Sequence, residues 1–443
     1  MSARKTAFKA LKKVAADASY SNLVLDSELE KSALEERDKR LASGIFYGVL
    51  ENEQQLDFII KKLLSKPDMK LESDVRILLR MGIFQLGFMD KIPDNAAVNE
   101  TVTLAKKLGL SRASGFINGI LRSYIRAGKA VALPERNSDE TLYLSVKYSC
   151  PEWLIKLWIK DYGADTCEKI LVSLHGRPPI YARVNNVKTD IEKLSVLLNA
   201  ENAGCRPAVW PKNAVELSST GSVEKLTAFT DGLFHVQDIS SQLCCNILSP
   251  QSGETVLDVC AAPGGKSFTI AELMNNNGRV ISCDIHEHRV GLIRSGAERL
   301  GLTCIEAIAR DALTGDPVAA DRVLCDVPCS GLGIIRRKPD IKNKKPETLA
   351  QLPQMQYDIL CRSAKSVRPG GTLVYSTCTL CSDENSNVVE RFLNEHEDFE
   401  PYPFGLQSGT ERIAPGEPEY MLTLFPFETG SDGFFIARLK RKG

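Results

Sequence analysis

The stretch Val256-Leu-Asp-Val-Cys-Ala-Ala-Pro-Gly-Gly-Lys-Ser267 decides the fold, because it joins a short apolar run to a helix through a glycine-rich turn. Such a turn lets the backbone approach a ligand closely, and the free amides at the helix N-terminus attract an anionic group. The stretch lacks the G-x-G-x-x-G spacing that serves the pyrophosphate of a dinucleotide. It therefore favours a smaller anion, such as the carboxylate of an amino-acid-like cofactor.

Strands and helices alternate around this turn, from about Gly232 onward, and such alternation is typical of a doubly wound parallel sheet. The carboxyl ends of parallel strands meet at one edge of a sheet, so the residues that follow them are candidates for a shared site. Strands are predicted at 256–259, 279–283, 304–307, 321–325 and 371–375, and helices from 267, over about 288–300 and over about 347–366.

Three acidic residues stand at the carboxyl ends of successive predicted strands: Asp284, Asp311 and Asp326. Asp284 lies 20 residues after Gly264, a position from which a carboxylate can accept hydrogen bonds from two ribose hydroxyls. Asp311 is placed to accept a hydrogen bond from an adenine amino group. For any single aspartate the alternative is a helix cap or an Asx turn, but the joint pattern favours a ligand crevice.

Two cysteines follow predicted strands at the same edge, Cys329 in the run from Asp326 and Cys378 in the run from Tyr375. A generic cysteine is a small buried hydrophobe, but these two fall on the ligand side of the sheet. A thiolate that adds to carbon 6 of a cytosine makes carbon 5 nucleophilic enough to take a methyl group. A general base must then remove the carbon 5 proton, and a carboxylate such as Asp326 must hold the ring nitrogen and the exocyclic amine.

Two further regions precede this part of the chain. The first ~135 residues have helical periodicity and predict a helical bundle; in 74–88, one helix face carries Val75, Leu78, Leu79 and Ile83. After a predicted linker at 128–139, the pattern changes to that of a small α/β module. This module extends from 140 to about 231, with strands predicted at 179–185 and 214–217.

The charge of the chain is balanced overall, with 56 Lys/Arg and 56 Asp/Glu, but it is unevenly spread. Residues 1–130 carry 22 basic and 16 acidic residues, a balance of +6. The tract 336–345 (RRKPDIKNKK) holds six basic residues and one acid. We expect this tract and Arg183 to contact nucleic-acid phosphates, although a solvated face is an equal alternative for any one patch.

Composition also bears on compartment and metal content. No run of ~18 uncharged apolar residues occurs and no apolar signal core opens the chain, so we expect a cytoplasmic protein without a membrane partner. Thirteen cysteines, odd in number and irregular in spacing, are typical of reduced thiols. Cys378 and Cys381 would be half a zinc site, but no second cysteine or histidine pair lies nearby, so we predict no metal.

The motifs CAAPGGKS (260–267), DVPCSGLG (326–333), RRKPDIK (336–342) and YSTCT (375–379) resemble those of the RNA 5-methylcytosine methyltransferases, the NOL1/NOP2/sun family. DGFFIARL (432–439) resembles the closing strand of that family, and AVNETVTLAKKLG (97–109) with FINGILR (116–122) resembles a NusB-like RNA-binding domain. The resemblance covers nearly the whole chain. It implies a NusB-like helical domain (1–135), a small α/β, RRM-like module (140–231) and a Rossmann-like class I methyltransferase domain (232–443).

The resemblance also implies a role for each matching position. Cys378 would be the nucleophile, Cys329 would assist release of the methylated base, and Asp326 would hold the cytosine and border the cofactor. S-adenosylmethionine would be bound by Asp284, Asp311, Asp326 and the loop residues Cys260, Ala261, Ala262, Pro263, Gly264, Gly265 and Lys266. The reaction implied is methylation of carbon 5 of a cytosine in 16S ribosomal RNA, at cytosine 967, and we expect a monomeric enzyme.

The chain departs from the family pattern at two places. Cys381 adds a thiol three residues after Cys378, which predicts oxidative inactivation through a Cys378–Cys381 disulfide. The tract after Asp340 reads Ile341-Lys-Asn343, where relatives often carry an aromatic residue.

Two alternative functions stay open at this point. In the first alternative the protein is still a cytosine methyltransferase, but its substrate is tRNA or DNA. Pro328-Cys329 is similar to the motif that carries the nucleophile of the DNA cytosine enzymes. Otherwise the chain would be a non-catalytic RNA-binding assembly factor, which would need a broken cofactor loop or a missing nucleophile. The sequence has neither defect.

Overall fold

The computed structural model describes residues 2–17, 21–66, 68–406 and 410–443, and the chain forms two compact units. The first unit comprises Met1–His175 together with Arg337–Lys344, and the second comprises Gly176–Arg336 together with Lys345–Gly443. Among the described residues, no helix combines the length and the apolarity that crossing a membrane requires.

The first unit is a helical bundle, as predicted. Helix α5 contains the predicted 74–88 segment, and Leu78, Leu79 and Ile83 of its apolar face are fully buried, because side chains three and four residues apart share one side of a helix. The helices are α1 (Ala3–Asp17), α2 (Ser21–Glu30), α3 (Glu36–Glu51), α4 (Glu53–Leu63), α5 (Ser73–Phe88), α6 (Asp94–Lys107), α7 (Ser114–Arg126), α8 (Glu140–Tyr148), α9 (Glu152–Tyr162) and α10 (Ala164–Ser173).

The basic tract 336–345 is not a solvated ribbon, and the expectation that all of it contacts phosphates is wrong. Its centre forms a 3-10 helix, Pro339–Asn343, that packs within the first unit. There the buried ammonium of Lys342 donates to the carbonyl oxygens of Glu51 at 2.7 Å and Ser149 at 2.8 Å. Burial lowers the pKa of Lys342. This lysine therefore satisfies two backbone acceptors and is not available to RNA.

The second unit begins with a small antiparallel sheet in the order β2-β3-β1-β4. Its last strand lies beyond residue 231, where β4 pairs with β1 through Ala182 and Val236. Its other strands lie within the small α/β module expected over 140–231, but the first part of that range, which forms α8, α9 and α10, belongs to the first unit. Its elements are β1 (Ile180–Val184), α11 (Ile191–Ala200), β2 (Gly204–Pro207), β3 (Ala214–Ser218), α12 (Thr227–Thr230) and β4 (Phe234–Val236).

Arg183 on β1 also contradicts the expected contact with phosphates. Its side chain is 1% exposed, and its Nε donates to Glu272 Oε2 at 2.7 Å. The strand is covered on both faces, so the arginine side chain on it does not reach a phosphate.

A larger sheet follows, in the order β10-β12-β9-β8-β5-β6-β7 with β11 paired to β12. The five strands from β9 to β7 are parallel, as predicted, whereas β10, β11 and β12 pair antiparallel. The elements are α13 (Ile239–Leu248), β5 (Thr255–Asp258), α14 (Gly265–Leu273), β6 (Arg279–Asp284), α15 (Glu287–Leu300), β7 (Ile305–Ala309), β8 (Ala320–Asp326), α16 (Pro346–Leu349), α17 (Leu352–Ala364), β9 (Val367–Thr377), α18 (Ser386–Glu395), β10 (Phe399–Pro401), β11 (Met421–Leu424), α19 (Pro426–Thr429) and β12 (Phe434–Arg441).

The strand order creates one switch point. The chain runs from β5 to β6 and β7 on one side, and then crosses β5 to place β8 and β9 on the other. Ligands of open α/β sheets bind at the carboxyl ends of the strands where the order reverses. The turns after β5, β6, β8 and β9 therefore meet at one edge.

Candidate active site

The glycine-rich turn after β5 shapes the first part of this edge. Gly264 has a φ of +114°, and a Cβ on it would lie 2.4 Å from Cζ of Phe268, so no other residue fits there without displacing that ring. The Gly264 amide donates to the Ala261 oxygen at 2.8 Å, and α14 begins at the next residue. The turn thus exposes the N-terminus of α14 at the switch point, a position that suits an anionic group.

Asp258, which the sequence reasoning missed, lies directly beneath this turn. It is fully buried at the end of β5, and its Oδ2 accepts from Ser267 Oγ at 2.7 Å. Ser282 Oγ donates in turn to Ser267 Oγ at 2.8 Å. Burial raises the pKa of Asp258 to about 7, because a desolvated carboxylate is disfavoured. The available signal was an aspartate that closes an otherwise apolar strand.

Asp284 ends β6 beside the same turn and is 5% exposed. Its Oδ2 lies 3.2 Å from Nη1 of Arg289, which the sequence reasoning also missed, and its Oδ1 accepts from the His286 amide at 3.0 Å. The Arg289 guanidinium donates to the Ala262 oxygen at 3.1 Å as well. Arg289 therefore connects the carboxylate of β6 to the glycine-rich turn.

Asp311 follows β7 and is half-buried. The amide of the preceding Arg310 donates to the Asp284 oxygen at 2.9 Å, which places Asp311 next to the end of β6. Its own Oδ1 accepts from the Leu313 amide at 2.9 Å. This side chain thus forms the Asx turn that the sequence left open as an alternative.

The structure brings the two candidate thiols together. Cys329 follows β8 and Cys378 follows β9, and their Sγ atoms lie 3.2 Å apart. The strands are parallel neighbours in which Asp326 pairs with Ser376, so the turns that leave them lie side by side. Both side chains are partly buried.

The two sulfurs differ in their electrostatic surroundings. The hydrogen bond from the Cys329 thiol lowers the pKa of Cys378, and Lys266 acts in the same direction. The same contact raises the pKa of Cys329 well above its ordinary value, as do burial and the nearby charge of Glu384. The thiolate is therefore favoured at Cys378 and the proton at Cys329.

Lys266 and Asp326 form an ion pair beside the thiols. The ammonium of Lys266 lies 2.8 Å from Asp326 Oδ2 and 5.1 Å from the centre of the Phe434 ring. Ser376 Oγ donates to Asp326 Oδ1 at 2.7 Å. Burial opposes the charge of Lys266, but Asp326 outweighs it and raises the pKa of the ammonium. The pair presents a fixed positive charge and a fixed acceptor to the edge of the sheet.

Cys381 is buried just after β9, whereas the Cys329 sulfur lies within 3.2 Å of the Cys378 sulfur. The geometry favours Cys329 over Cys381 as a disulfide partner of Cys378. Within the described ranges, no group of three or more His, Cys, Asp or Glu side chains could hold a metal ion.

Three regions of the chain match known protein families. Residues 245–440 match 16S rRNA methyltransferase RsmB/F, residues 1–126 match the NusB family, and residues 150–224 match the ferredoxin-like domain of RsmF/B-like methyltransferases. The probable ribosomal RNA small subunit methyltransferase B of Bacillus subtilis is 41% identical over 448 residues, covering 100% of this chain and 99% of the relative. The chain belongs to the small subunit methyltransferase B family.

Other members of this family match over similar lengths. The probable methyltransferase B of Synechocystis is 38% identical over 100% of both chains, and that of Escherichia coli is 35% identical over 92% of this chain and 91% of its own length. The crystal structure of PH0851 superposes with a TM-score of 0.82 at 25% identity, covering 99% of this chain and 98% of that one. The three-part fold implied by the resemblance is thereby confirmed.

The small subunit methyltransferase B family uses S-adenosylmethionine, and the cofactor predicted from the sequence is confirmed. The residues present fit it. An amino-acid carboxylate suits the amides at the start of α14, and a ribose suits the buried carboxylate of Asp284, which ends the strand next to β5.

Proposed function

We propose that this protein methylates carbon 5 of a cytosine in 16S ribosomal RNA, at cytosine 967, through a covalent bond between Cys378 and carbon 6 of the base. The observation that carries the proposal is the 3.2 Å contact between the Cys329 and Cys378 sulfurs at the edge that also bears the cofactor turn. A non-catalytic assembly factor would have no use for a thiol whose pKa is lowered there.

The first step needs a thiolate and a cytosine ring that is held in a fixed orientation. The Cys378 sulfur adds to carbon 6 of the cytosine, and the electron pair of the ring double bond moves to carbon 5. The carboxylate of Asp326 accepts a hydrogen bond from the exocyclic amine, and from the ring nitrogen once that nitrogen is protonated, while Ser376 and Lys266 fix the orientation of the carboxylate. A cytosine in a loop is splayed out to reach this pocket, and a paired one is flipped.

When bound, S-adenosylmethionine supplies an electrophilic methyl group to carbon 5. We assign its amino-acid end to the turn Cys260, Ala261, Ala262, Pro263, Gly264, Gly265 and Lys266, and its ribose to Asp284. Asp311 is assigned to accept a hydrogen bond from the adenine amino group. Its side chain would have to leave the Asx turn to do so, or its backbone carbonyl would accept the bond instead.

The last step releases the product. A base removes the proton from carbon 5, the double bond re-forms, and the bond between Cys378 and carbon 6 breaks. The sulfur leaves as a thiolate, and the hydrogen bond from Cys329 stabilises that charge. Cys329 therefore acts in release of the product, and its absence should leave the methylated cytosine covalently attached to Cys378.

We assign the remaining regions to RNA binding. The NusB-like domain (1–135) and the small α/β module (140–231) would position the rRNA for the methyltransferase domain (232–443), and the protein would act as a monomer. Lys342 and Arg183 are excluded as phosphate contacts by their burial. Exposed basic residues of the N-terminal domain, whose balance is +6 over 1–130, are the better candidates.

The decisive experiment compares two cysteine variants on 16S rRNA with radiolabelled cofactor. Cys378→Ala should abolish methylation and form no adduct, whereas Cys329→Ala should accumulate a protein–RNA adduct on denaturing gels. Cys361→Ala, which removes a thiol on α17 outside both turns, is the matched control and should behave as wild type. An adduct with Cys378→Ala instead would reverse the two roles.

The substrate is tested separately. Purified protein should methylate 16S rRNA and leave tRNA and duplex DNA unmodified, and bisulfite sequencing of rRNA from cells that lack the protein should show cytosine 967 unmodified. Modification of tRNA in preference to rRNA would overturn the substrate while leaving the chemistry in place.

A further inference from the structure

Two adjacent buried polar residues, Glu384 and Asn385, have no part in the mechanism above. They follow β9 at the end of a 3-10 turn, Ser382–Glu384, and each is 2% exposed. Buried polar side chains are costly unless hydrogen-bonded, so their partners indicate what they do.

Glu384 holds the turn that carries Cys329. Its Oε2 accepts from the Ser330 amide at 2.8 Å and from Gln356 Nε2 at 2.9 Å. The same Gln356 nitrogen donates to the Pro328 oxygen at 2.9 Å. Both neighbours of Cys329 are thereby tied to one carboxylate.

Asn385 holds the turn that carries Cys378 in the same manner. Its Oδ1 accepts from Thr377 Oγ1 at 2.6 Å, and its Nδ2 donates to the Thr379 oxygen at 3.0 Å. The side chain therefore brackets Cys378 from both sides.

The two turns are also joined directly. The hydroxyl groups of Ser330 and Thr379 are hydrogen-bonded at 2.6 Å, and the Gly333 amide donates to the Cys378 oxygen at 3.0 Å. The segment Glu384-Asn385 is therefore hydrogen-bonded to both of the turns that carry the sulfur pair.

We propose that Glu384 and Asn385 are positioning residues that set the separation of the two sulfurs and direct nucleophilic reactivity to Cys378 rather than Cys329. The proposal rests on the function proposed above for that site. Covalent catalysis requires its groups to be held within about 0.5 Å of the productive geometry, and adjacent clamps on both turns provide that restraint. Neither residue need touch the RNA.

Charge distribution supports the second half of the proposal. Glu384 bears on Cys329, where a negative charge opposes ionisation, whereas Lys266 bears on Cys378. Asp326 and Asp432 also face Cys378 and oppose its ionisation, so the positive charge of Lys266 and the hydrogen bond from Cys329 must outweigh them. Removing the charge of Glu384 should bring the two thiols closer in acidity.

The test measures thiol reactivity on the full chain without RNA. Limiting iodoacetamide is applied between about pH 6 and pH 9, and peptide mass spectrometry gives the ratio of Cys378 to Cys329 alkylation. Glu384→Gln keeps an acceptor for the Ser330 amide and loses the charge, so the ratio should fall by about three- to tenfold, equivalent to half to one pKa unit. Asp383→Asn, which removes an exposed charge one residue earlier, should leave the ratio unchanged.

A second variant tests the other clamp. Asn385→Asp keeps the shape of the side chain but replaces the donor to the Thr379 oxygen with a carboxylate oxygen, so we expect slower alkylation of Cys378 and a lower kcat. Thr377→Val, which adds no charge, isolates the loss of a hydrogen bond to Asn385 from the effect of that carboxylate. Affinity for S-adenosylmethionine, measured by calorimetry, should stay within about twofold, because this residue contacts none of the cofactor turn. If either variant fails to fold, Thr377→Val removes only the donor to Asn385 and should slow Cys378 alkylation in the same way.

The outcomes separate this proposal from the proposed function. A changed alkylation ratio in a protein that does not methylate rRNA supports the positioning role of Glu384 and Asn385 and contradicts the proposed function. An unchanged alkylation ratio in folded, cofactor-binding variants overturns the positioning role of Glu384 and Asn385 whether or not rRNA is methylated.

Discussion

Replacing Arg183 with methionine should destabilise the second unit strongly, because the change leaves the carboxylate of Glu272 uncompensated in the core. The Arg183 Nε lies 2.7 Å from Glu272 Oε2, and the two side chains are 1% and 0% exposed. The other carboxylate oxygen lies 3.4 Å from His235 Nδ1 and accepts no hydrogen bond from the described residues. Arg183 is therefore the main partner of this charge.

The expected magnitude follows from the burial of both partners. Removing one member of a buried ion pair costs about 3–5 kcal/mol, whereas replacing both by apolar residues of similar volume is neutral or stabilising by about 1–4 kcal/mol. Arg183→Met and Glu272→Met should each lower the free energy of unfolding by the first amount. The double variant should recover most of the loss.

The assay is urea unfolding followed by circular dichroism and tryptophan fluorescence. Trp153 and Trp158 lie in the first unit and Trp210 in the second, so the second unit's transition is assigned as the one that S-adenosylmethionine shifts to higher urea concentration. S-adenosylmethionine affinity should fall with Arg183→Met, because Glu272 lies on α14, whose first two residues belong to the cofactor turn. A loss below about 1 kcal/mol, or a double variant as unstable as the single ones, would refute the reasoning. A reduced salt dependence of RNA binding in a fully stable Arg183→Met protein would restore the phosphate role.

Two further predictions concern buried titratable groups. Burial raises the folded-state pKa of Asp258 from 3.8 to about 7, so the folded protein holds a proton that the unfolded chain releases. The free energy of unfolding should therefore fall by roughly 4 kcal/mol as pH rises from about 4 to 7. Asp258→Asn should remove this pH dependence, and equal unfolding free energies of the unmodified protein at pH 5 and pH 8 would contradict the assignment. Hydrogen peroxide should oxidise the two sulfurs, which lie 3.2 Å apart, to a Cys329–Cys378 disulfide that dithiothreitol reduces again. Peptide mapping should find this disulfide in the Cys381→Ser variant but not in the Cys329→Ser variant. A disulfide-linked Cys378–Cys381 peptide would instead support the pairing expected from the spacing in the sequence.

The strands and the turn after β5 could be predicted from the sequence because each is a local pattern. The limits of that approach appear near β9, which was predicted over 371–375 and extends over Val367–Thr377. Arg368-Pro-Gly-Gly371 is typical of a turn, but here it lies inside the strand, where the pairing with β8 shifts register between Ala320 and Arg322. The helix predicted over about 347–366 likewise divides into α16 and α17, with a proline in the first turn of each.

Long-range partners were out of reach for a different reason. Lys342 binds the oxygen of Glu51 across 291 residues, and Arg183 meets Glu272 across 89. A basic residue carries the same local signal whether it meets solvent, a phosphate or a buried acceptor, so charge counting assigned both to RNA. Only the packing around each side chain distinguishes these cases.

The proximity of the two thiols follows from the strand topology, whereas the difference in their acidity does not. Cys329 lies three residues after Asp326 and Cys378 two after Ser376, and these two residues pair in adjacent parallel strands, so proximity follows once the strand order is known. Which sulfur keeps the proton depends instead on Lys266 and Glu384, 63 and 55 residues from Cys329 in opposite directions along the chain. The family resemblance assigned the nucleophile to Cys378, but the physical basis for that assignment lies in the charges that the fold places around each sulfur.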